Sequence, residues 1–134
     1  EAAEIVSLFC RLRNSTKNDL PIRSSEMGLL ILLHSRVEPI TPLMAAEFFK
    51  VKKPMITAMI TSLVSKGYMQ KTASLEDKRS FTINLTQKGM ELVEETKDEY
   101  FKSLELLSSK MGENDFNTMI TMLDKANKIL LEVL

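Results

Sequence analysis

The sequence predicts a mainly α-helical chain carrying one small β-hairpin, and three observations predict it. Residues 53–66, KPMITAMITSLVSK, repeat Ile56, Met59, Ile60 and Leu63 at helical spacing. That spacing defines one buried stripe and leaves Lys53, Thr57, Ala58 and Thr61 facing away from it. Ahead of this helix Thr41 and Pro42 stand as an N-cap and a first helical residue, so a short helix should run over residues 42–49 and stop near Lys50 and Val51. Behind it, residues 68–73 and 80–85 read as two strands around a charged loop, with Phe81, Ile83 and Leu85 alternating with Ser80, Thr82 and Asn84. Two helices joined by a short turn and followed by a hairpin compose a winged helix-turn-helix.

The flanks complete the reading. Residues 1–13 place Ile5, Leu8, Phe9 and Leu12 on one helical stripe, with Ala2, Val6 and Cys10 beside it. Residues 14–24, rich in Asn, Asp, Ser and Thr and containing Pro21, form a loop. Ser24 or Ser25 then caps a helix through Ser35 whose aliphatic run predicts burial on most sides, the inner support for the helix pair. From Thr86 a long helix over residues 87–110, about 35 Å at 1.5 Å per residue, turns Met90, Val93, Tyr100, Phe101, Leu104 and Leu107 inward. Gly112 breaks it. A last helix over residues 113–133 carries two apolar stripes, Phe116, Met119, Ile120, Leu123, Leu130 and Leu134 beside Met122, Ala126, Ile129 and Val133. A lone terminal helix cannot bury that much apolar surface in its own protomer. With the first helix, it is the expected dimer interface, so residues 22–88 are expected to form the winged helix-turn-helix region and 1–21 with 89–134 the helical dimerisation region, in one compact domain.

With 134 residues, 44% of them hydrophobic, the chain has ample material for one core. Glu1 and Glu4 stand where a secretory signal wants positive charge, and the longest aliphatic run, residues 29–33, is too short to span a bilayer. A cytoplasmic chain without membrane contact is expected. One cysteine excludes an internal disulfide, and one cysteine with one histidine leaves no zinc site of ordinary composition. Neither a Gly-rich phosphate loop nor a Ser/His/Asp set is present, so no enzyme and no cofactor is expected.

The formal net charge is zero, but its distribution is uneven. Residues 1–40 hold five Lys/Arg and five Asp/Glu, residues 41–90 eight and three, and residues 91–134 five and ten. Positive charge therefore concentrates on the helix pair and hairpin, as a phosphate-binding surface requires. The outer face of the second helix is short-chained and free of carboxylates, which suits a helix lying against a polyanion. Duplex DNA is the expected polyanion.

Lys52, Lys53, Pro54 and Met55 open the helix, where lysines and free first-turn amides can meet phosphate or base edges. The alternative is a solvated first turn. Lysine at a helix N-terminus opposes the dipole by a few tenths of a kcal/mol, and that mismatch favours the binding role. In the hairpin loop, Arg79 can reach a minor groove and Lys78 a phosphate. The alternative there is a surface hairpin with an exposed ion pair worth at most ~1 kcal/mol. A helix-turn-helix protomer reads a half-site, so a two-fold dimer is expected to bind an inverted repeat with half-sites about 10 bp apart. A different class of function, a winged helix serving protein partners, would leave Lys53, Lys78 and Arg79 dispensable.

Taken in order, ITPLMAAEFF, VKKPMITAMITSLVSKGY and ASLEDKRSFTINLTQKG resemble the MarR-type (multiple antibiotic resistance) transcriptional regulators, and the flanking helices fit as well. The resemblance implies a homodimeric, double-stranded-DNA-binding repressor with intertwined terminal helices, and a small aromatic effector held between the winged region and the dimer helices. It places Thr57, Ala58 and Thr61 at base-reading and backbone-contacting positions and makes Asp77 the acidic partner that holds Arg79 in place. Ala58 stands where the family often has Arg, Ser74-Leu75 where Asp-Pro is common, and Lys50 where a small turn residue is common. Ala and the Thr methyl suit thymine methyl groups and an AT-rich operator. Candidate effector walls are the first helix, residues 29–34 and the start of the long helix. Some relatives sense oxidants through a first-helix cysteine; Arg11 and Arg13 lie close to Cys10 in sequence, yet a small apolar core residue is the favoured reading over a redox switch. His34 is read as a partly buried helix residue, and the nine Met as adaptable core filling.

Overall fold

A computed structural model describes residues 1–14, 20–77 and 79–133 of the chain. Six helices and a two-stranded hairpin follow the order α1 (Ala2–Asn14), α2 (Ser24–Ser35), α3 (Pro42–Phe49), α4 (Lys53–Ser65), β1 (Met69–Ala73), β2 (Phe81–Leu85), α5 (Gln87–Met111) and α6 (Glu113–Val133). The backbone contacts divide into two compact units, residues 1–97 and 98–134. Among the described residues, no helix is long and apolar enough to cross a membrane.

The core of the first unit is built on α2. Its Met27, Leu29, Leu30, Leu32 and Leu33 are buried, as the aliphatic run requires, and so are Ala45 and Ala46 of α3 and Ile56, Met59, Ile60 and Leu63 of α4. These four α4 residues are the stripe that periodicity defines. The Thr41 hydroxyl accepts from the Met44 N–H at 3.2 Å and Pro42 occupies the first turn, so α3 starts as its sequence dictates. It ends at Lys50, which adopts the left-handed conformation at φ 57°, ψ 41°.

α2 departs from its expected cap. Neither Ser24 nor Ser25 is the N-cap; Arg23 is, and its side chain makes no capping bond. Glu26, one turn in, accepts the Arg23 N–H at 3.0 Å, so a carboxylate satisfies the entry that a serine hydroxyl was expected to satisfy.

The hairpin pairs antiparallel from Met69 with Leu85 to Ala73 with Phe81. Ile83 is buried, Phe81 and Leu85 are half-buried, and the Ile83 N–H donates to the Ile40 carbonyl at 2.8 Å, so the chain before α3 braces the hairpin as an isolated bridge.

Along α5, Val93 is fully buried, but Met90 and Phe101 are exposed and Tyr100, Leu104 and Leu107 only half-buried. α6 has no buried residue, with Met122, Ile129, Leu130 and Val133 more than half exposed; Leu134 lies outside the described residues. In α1, Ile5, Leu8, Phe9 and Leu12 are exposed, and so is Cys10. The reading of Cys10 as a core residue is therefore corrected: its helix presents its apolar side to the exterior of this chain.

Candidate nucleic-acid interface

The helix-turn-helix is fixed at both ends of α4. At the start Lys52 is an extended N-cap without a side-chain capping bond, followed by Lys53 and Pro54. Within the first turn the Met55 N–H donates to the Lys52 carbonyl at 3.0 Å and Pro54 has no N–H, which leaves the Lys53 N–H without a side-chain cap. Lys52, Lys53, Pro54, Met55, Thr57, Ala58 and Thr61 are all exposed. The Thr57 hydroxyl donates to the Lys53 carbonyl at 2.9 Å, which leaves its methyl group and its acceptor lone pair for an outside partner.

At the C-terminal end of α4 three groups converge. Lys66 closes the helix and Gly67 follows at φ 84°. The Thr86 hydroxyl donates to the Gly67 carbonyl at 2.6 Å and accepts from the Gly89 N–H at 3.1 Å, so one side chain both caps α5 and holds the turn after α4. The Lys88 ammonium donates to the Lys66 carbonyl at 2.9 Å and lies 4.5 Å from the Tyr68 ring centroid. Gly89 is buried, and a Cβ there would overlap the Tyr68 carbonyl oxygen. The run Leu85-Thr86-Gln87-Lys88-Gly89 was visible in the sequence; its roles come from residues about twenty positions earlier.

Glu26 is the group that sequence reasoning missed. Its side chain is 3% exposed and its Oε1 lies 3.6 Å from Lys66 Nζ. Burial pushes the carboxyl up, but hydrogen bonds from the Ser62 side chain and the Arg23 N–H, with the Lys66 charge, hold it below its ordinary value. The signal in the sequence was a lone carboxylate in the first turn of an otherwise aliphatic helix.

The wing loop is organised by its own short side chains. The Ser74 hydroxyl accepts from Glu76 and Asp77 N–H groups at 3.3 and 3.4 Å, and Asp77 Oδ1 accepts from the Arg79 N–H at 2.9 Å. The Asp77 carbonyl receives both the N–H and the hydroxyl of Ser80, at 3.1 and 3.2 Å. Asp77 thus meets Arg79 at its main chain, an Asx-type turn. Asp77 and Arg79 are exposed, and Lys78 lies outside the described residues. Leu75 at the tip is fully exposed.

A cavity of about 350 Å³ opens between the end of α2, residues 36–40, β2 and the start of α5, lined by Leu33, His34, Ile40, Ile83, Leu85 and Met90 among others. It uses two of the three expected effector walls; α1 does not line it. His34 is about three-quarters buried and 3.9 Å from Glu94.

The sequence profile of the transcriptional regulator SarA/Rot family matches residues 11–96. No curated protein sequence matches the chain. Among solved structures, the S. aureus MepR–DNA complex superposes with a TM-score of 0.84 at 17% identity, covering 96% of this chain and 97% of that one. Streptococcus pneumoniae FabT in complex with DNA gives 0.74 at 20% identity, covering 99% and 96%. A MarR/EmrR family transcriptional regulator from Acinetobacter sp. ADP1 gives 0.76 at 22% identity, covering 96% and 93%. At these identities the superpositions establish the fold alone, a winged helix with flanking helices. The profile match spans well over half of the sequence, and the chain belongs to the SarA/Rot family of transcriptional regulators.

Proposed function

We propose that this regulator binds double-stranded DNA sequence-specifically as a homodimer, reading an inverted repeat and acting as a repressor. The observation that carries the proposal is α4: its apolar stripe is consumed by the core, while Lys52, Lys53, Pro54, Met55, Thr57, Ala58 and Thr61 remain exposed without a carboxylate among them. In this reading α4 enters the major groove, its opening lysines meet phosphates, and Ala58 and the Thr methyl groups face thymine. Asp77, Lys78 and Arg79 are assigned to the wing contact, with Arg79 at the minor groove. That two solved neighbours, MepR and FabT, are described in complexes with DNA supports the assignment.

Dimerisation is proposed from the apolar faces of α1 and α6, whose Ile5, Val6, Ile129 and Leu130 are more than half exposed. Residues 22–88 then serve DNA binding and the terminal segments serve the dimer. A small aromatic effector belongs to the same proposal, supported by the cavity at Leu33, His34 and Met90. It would act by binding the DNA-incompetent spacing of the two α4 helices better than the competent one.

The test is a fluorescence-anisotropy titration with a duplex selected from a random library, repeated across salt concentrations and with Arg79→Ala. Binding should fall steeply with salt as counterions are released, and Arg79→Ala should weaken it. Binding that ignores both salt and Arg79 would favour a winged helix serving protein partners.

A further inference from the structure

We propose that Glu26 is a positioning residue for α4: through Ser62 and Lys66 it locks the last turn of that helix to the first turn of α2. The inference rests on the DNA-binding reading of α4 and adds a residue from outside the exposed surface. The Glu26 side chain is almost fully buried, yet it is surrounded by donors from two helices, the Arg23 N–H at 3.0 Å, the Ser62 side chain and the Lys66 ammonium at 3.6 Å. A carboxylate is expensive to bury unless such partners surround it, and α2 offers aliphatic side chains at every neighbouring inward position. The buried apolar stripe sets which face of α4 turns inward. An apolar residue at position 26 could add to that packing but would make no hydrogen bond to Ser62 or Lys66, whereas the carboxylate holds the rotation of α4 more narrowly by direction. Lys66 carries the lock onward, since its carbonyl accepts from Lys88 at 2.9 Å while its ammonium faces Glu26. The C-terminal end of α4 is therefore held from both α2 and α5. Its N-terminal end, at Lys52 and Lys53, is left to meet an outside partner.

The experiment uses Glu26→Gln, which keeps the shape, and Lys66→Met, singly and together, at a temperature where circular dichroism shows each variant folded. Two readouts are taken: hydrogen-exchange protection of the α4 amides relative to those of β1 and β2, and affinity for the selected duplex relative to a scrambled one. Loss of the lock should lower α4 protection about tenfold relative to the hairpin. It should also reduce discrimination between the duplexes by about tenfold while leaving the salt slope of Glu26→Gln unchanged, and the double variant should be no worse than the poorer single one. A uniform drop in protection, with discrimination intact, would make Glu26 a stability residue only and overturn the proposal. If the unaltered protein binds neither duplex, the DNA-binding reading fails, and the exchange pattern alone decides whether Glu26 orients α4.

Discussion

The Thr86 hydroxyl donates to the Gly67 carbonyl oxygen at 2.6 Å, tying the first turn of α5 to the turn that ends α4. The Thr86 hydroxyl oxygen also accepts from the Gly89 N–H at 3.1 Å, so one side-chain atom satisfies an orphan donor of α5 and an orphan acceptor after α4. Thr86→Val keeps the shape and removes both bonds. It should cost about 1–2 kcal/mol in urea denaturation, with Thr86→Ser close to the unaltered protein. Equal stability of the Val variant would show that solvent replaces both bonds without loss.

Gly89→Ala tests the same junction by volume. The added methyl meets the Tyr68 carbonyl, which is main chain and cannot rotate aside. In most helices this exchange would stabilise by up to ~1 kcal/mol; here it should destabilise by about 3 kcal/mol, since overpacking commonly costs ~1–3 kcal/mol. A thermal melt decides the sign.

The helix pair was legible because its determinants are local. Ile56, Met59, Ile60 and Leu63 repeat at a helical period, Thr41 and Pro42 announce a start, and Gly67 with two alternating runs announces a hairpin. Glu26 was not legible, because the partners that make its burial tolerable, Ser62 and Lys66, lie far along the chain on another helix. Cys10 misled for the opposite reason. An apolar stripe predicts that something will cover it, and periodicity is silent on whether the cover comes from the same chain; in this one the stripe is exposed. The wing acid was read by its charge, whereas its observed contact is with a main-chain N–H.

Acid should weaken the fold through Glu26. Its carboxyl is held below the ordinary value of 4.5 in the folded chain, so its contribution is fully present above that value and is lost as pH falls through it toward the lower folded value. Glu26→Gln should therefore lose about 1–3 kcal/mol at neutral pH. The gap between variant and unaltered protein should then narrow progressively below about pH 4.5. A gap of constant size down through that range would mean that the carboxylate charge contributes nothing.

Lys50 pays a conformational cost at the end of α3, because φ 57° is disfavoured for a residue with a Cβ. Lys50→Gly removes that strain and adds unfolded-chain entropy, which offsets part of the gain. The expected net is a stabilisation of up to ~1 kcal/mol, read as a raised melting temperature. Lys50→Ala should not reproduce it, since alanine keeps the Cβ; equal gains from both would point to relief of charge repulsion instead.

Asp77 distinguishes a turn-forming acid from an ion-pairing one. Its Oδ1 accepts from the Arg79 N–H at 2.9 Å, and its carbonyl accepts twice from Ser80, so it shapes the loop that presents Arg79. Asparagine keeps a side-chain acceptor at the same place and favours the same turn; alanine has neither property. If DNA binding depends on that shape, Asp77→Asn should bind the selected duplex within about twofold of the unaltered protein, while Asp77→Ala weakens it about five- to tenfold, each tenfold being ~1.4 kcal/mol. Stability should change by less than about 1 kcal/mol in both, because the loop is exposed. Were the carboxylate instead restraining the Arg79 guanidinium by charge, the Asn and Ala variants would lose affinity together, and the loss would shrink at high salt. The comparison of the two substitutions across salt separates main-chain positioning from ion pairing without needing a structure of the complex.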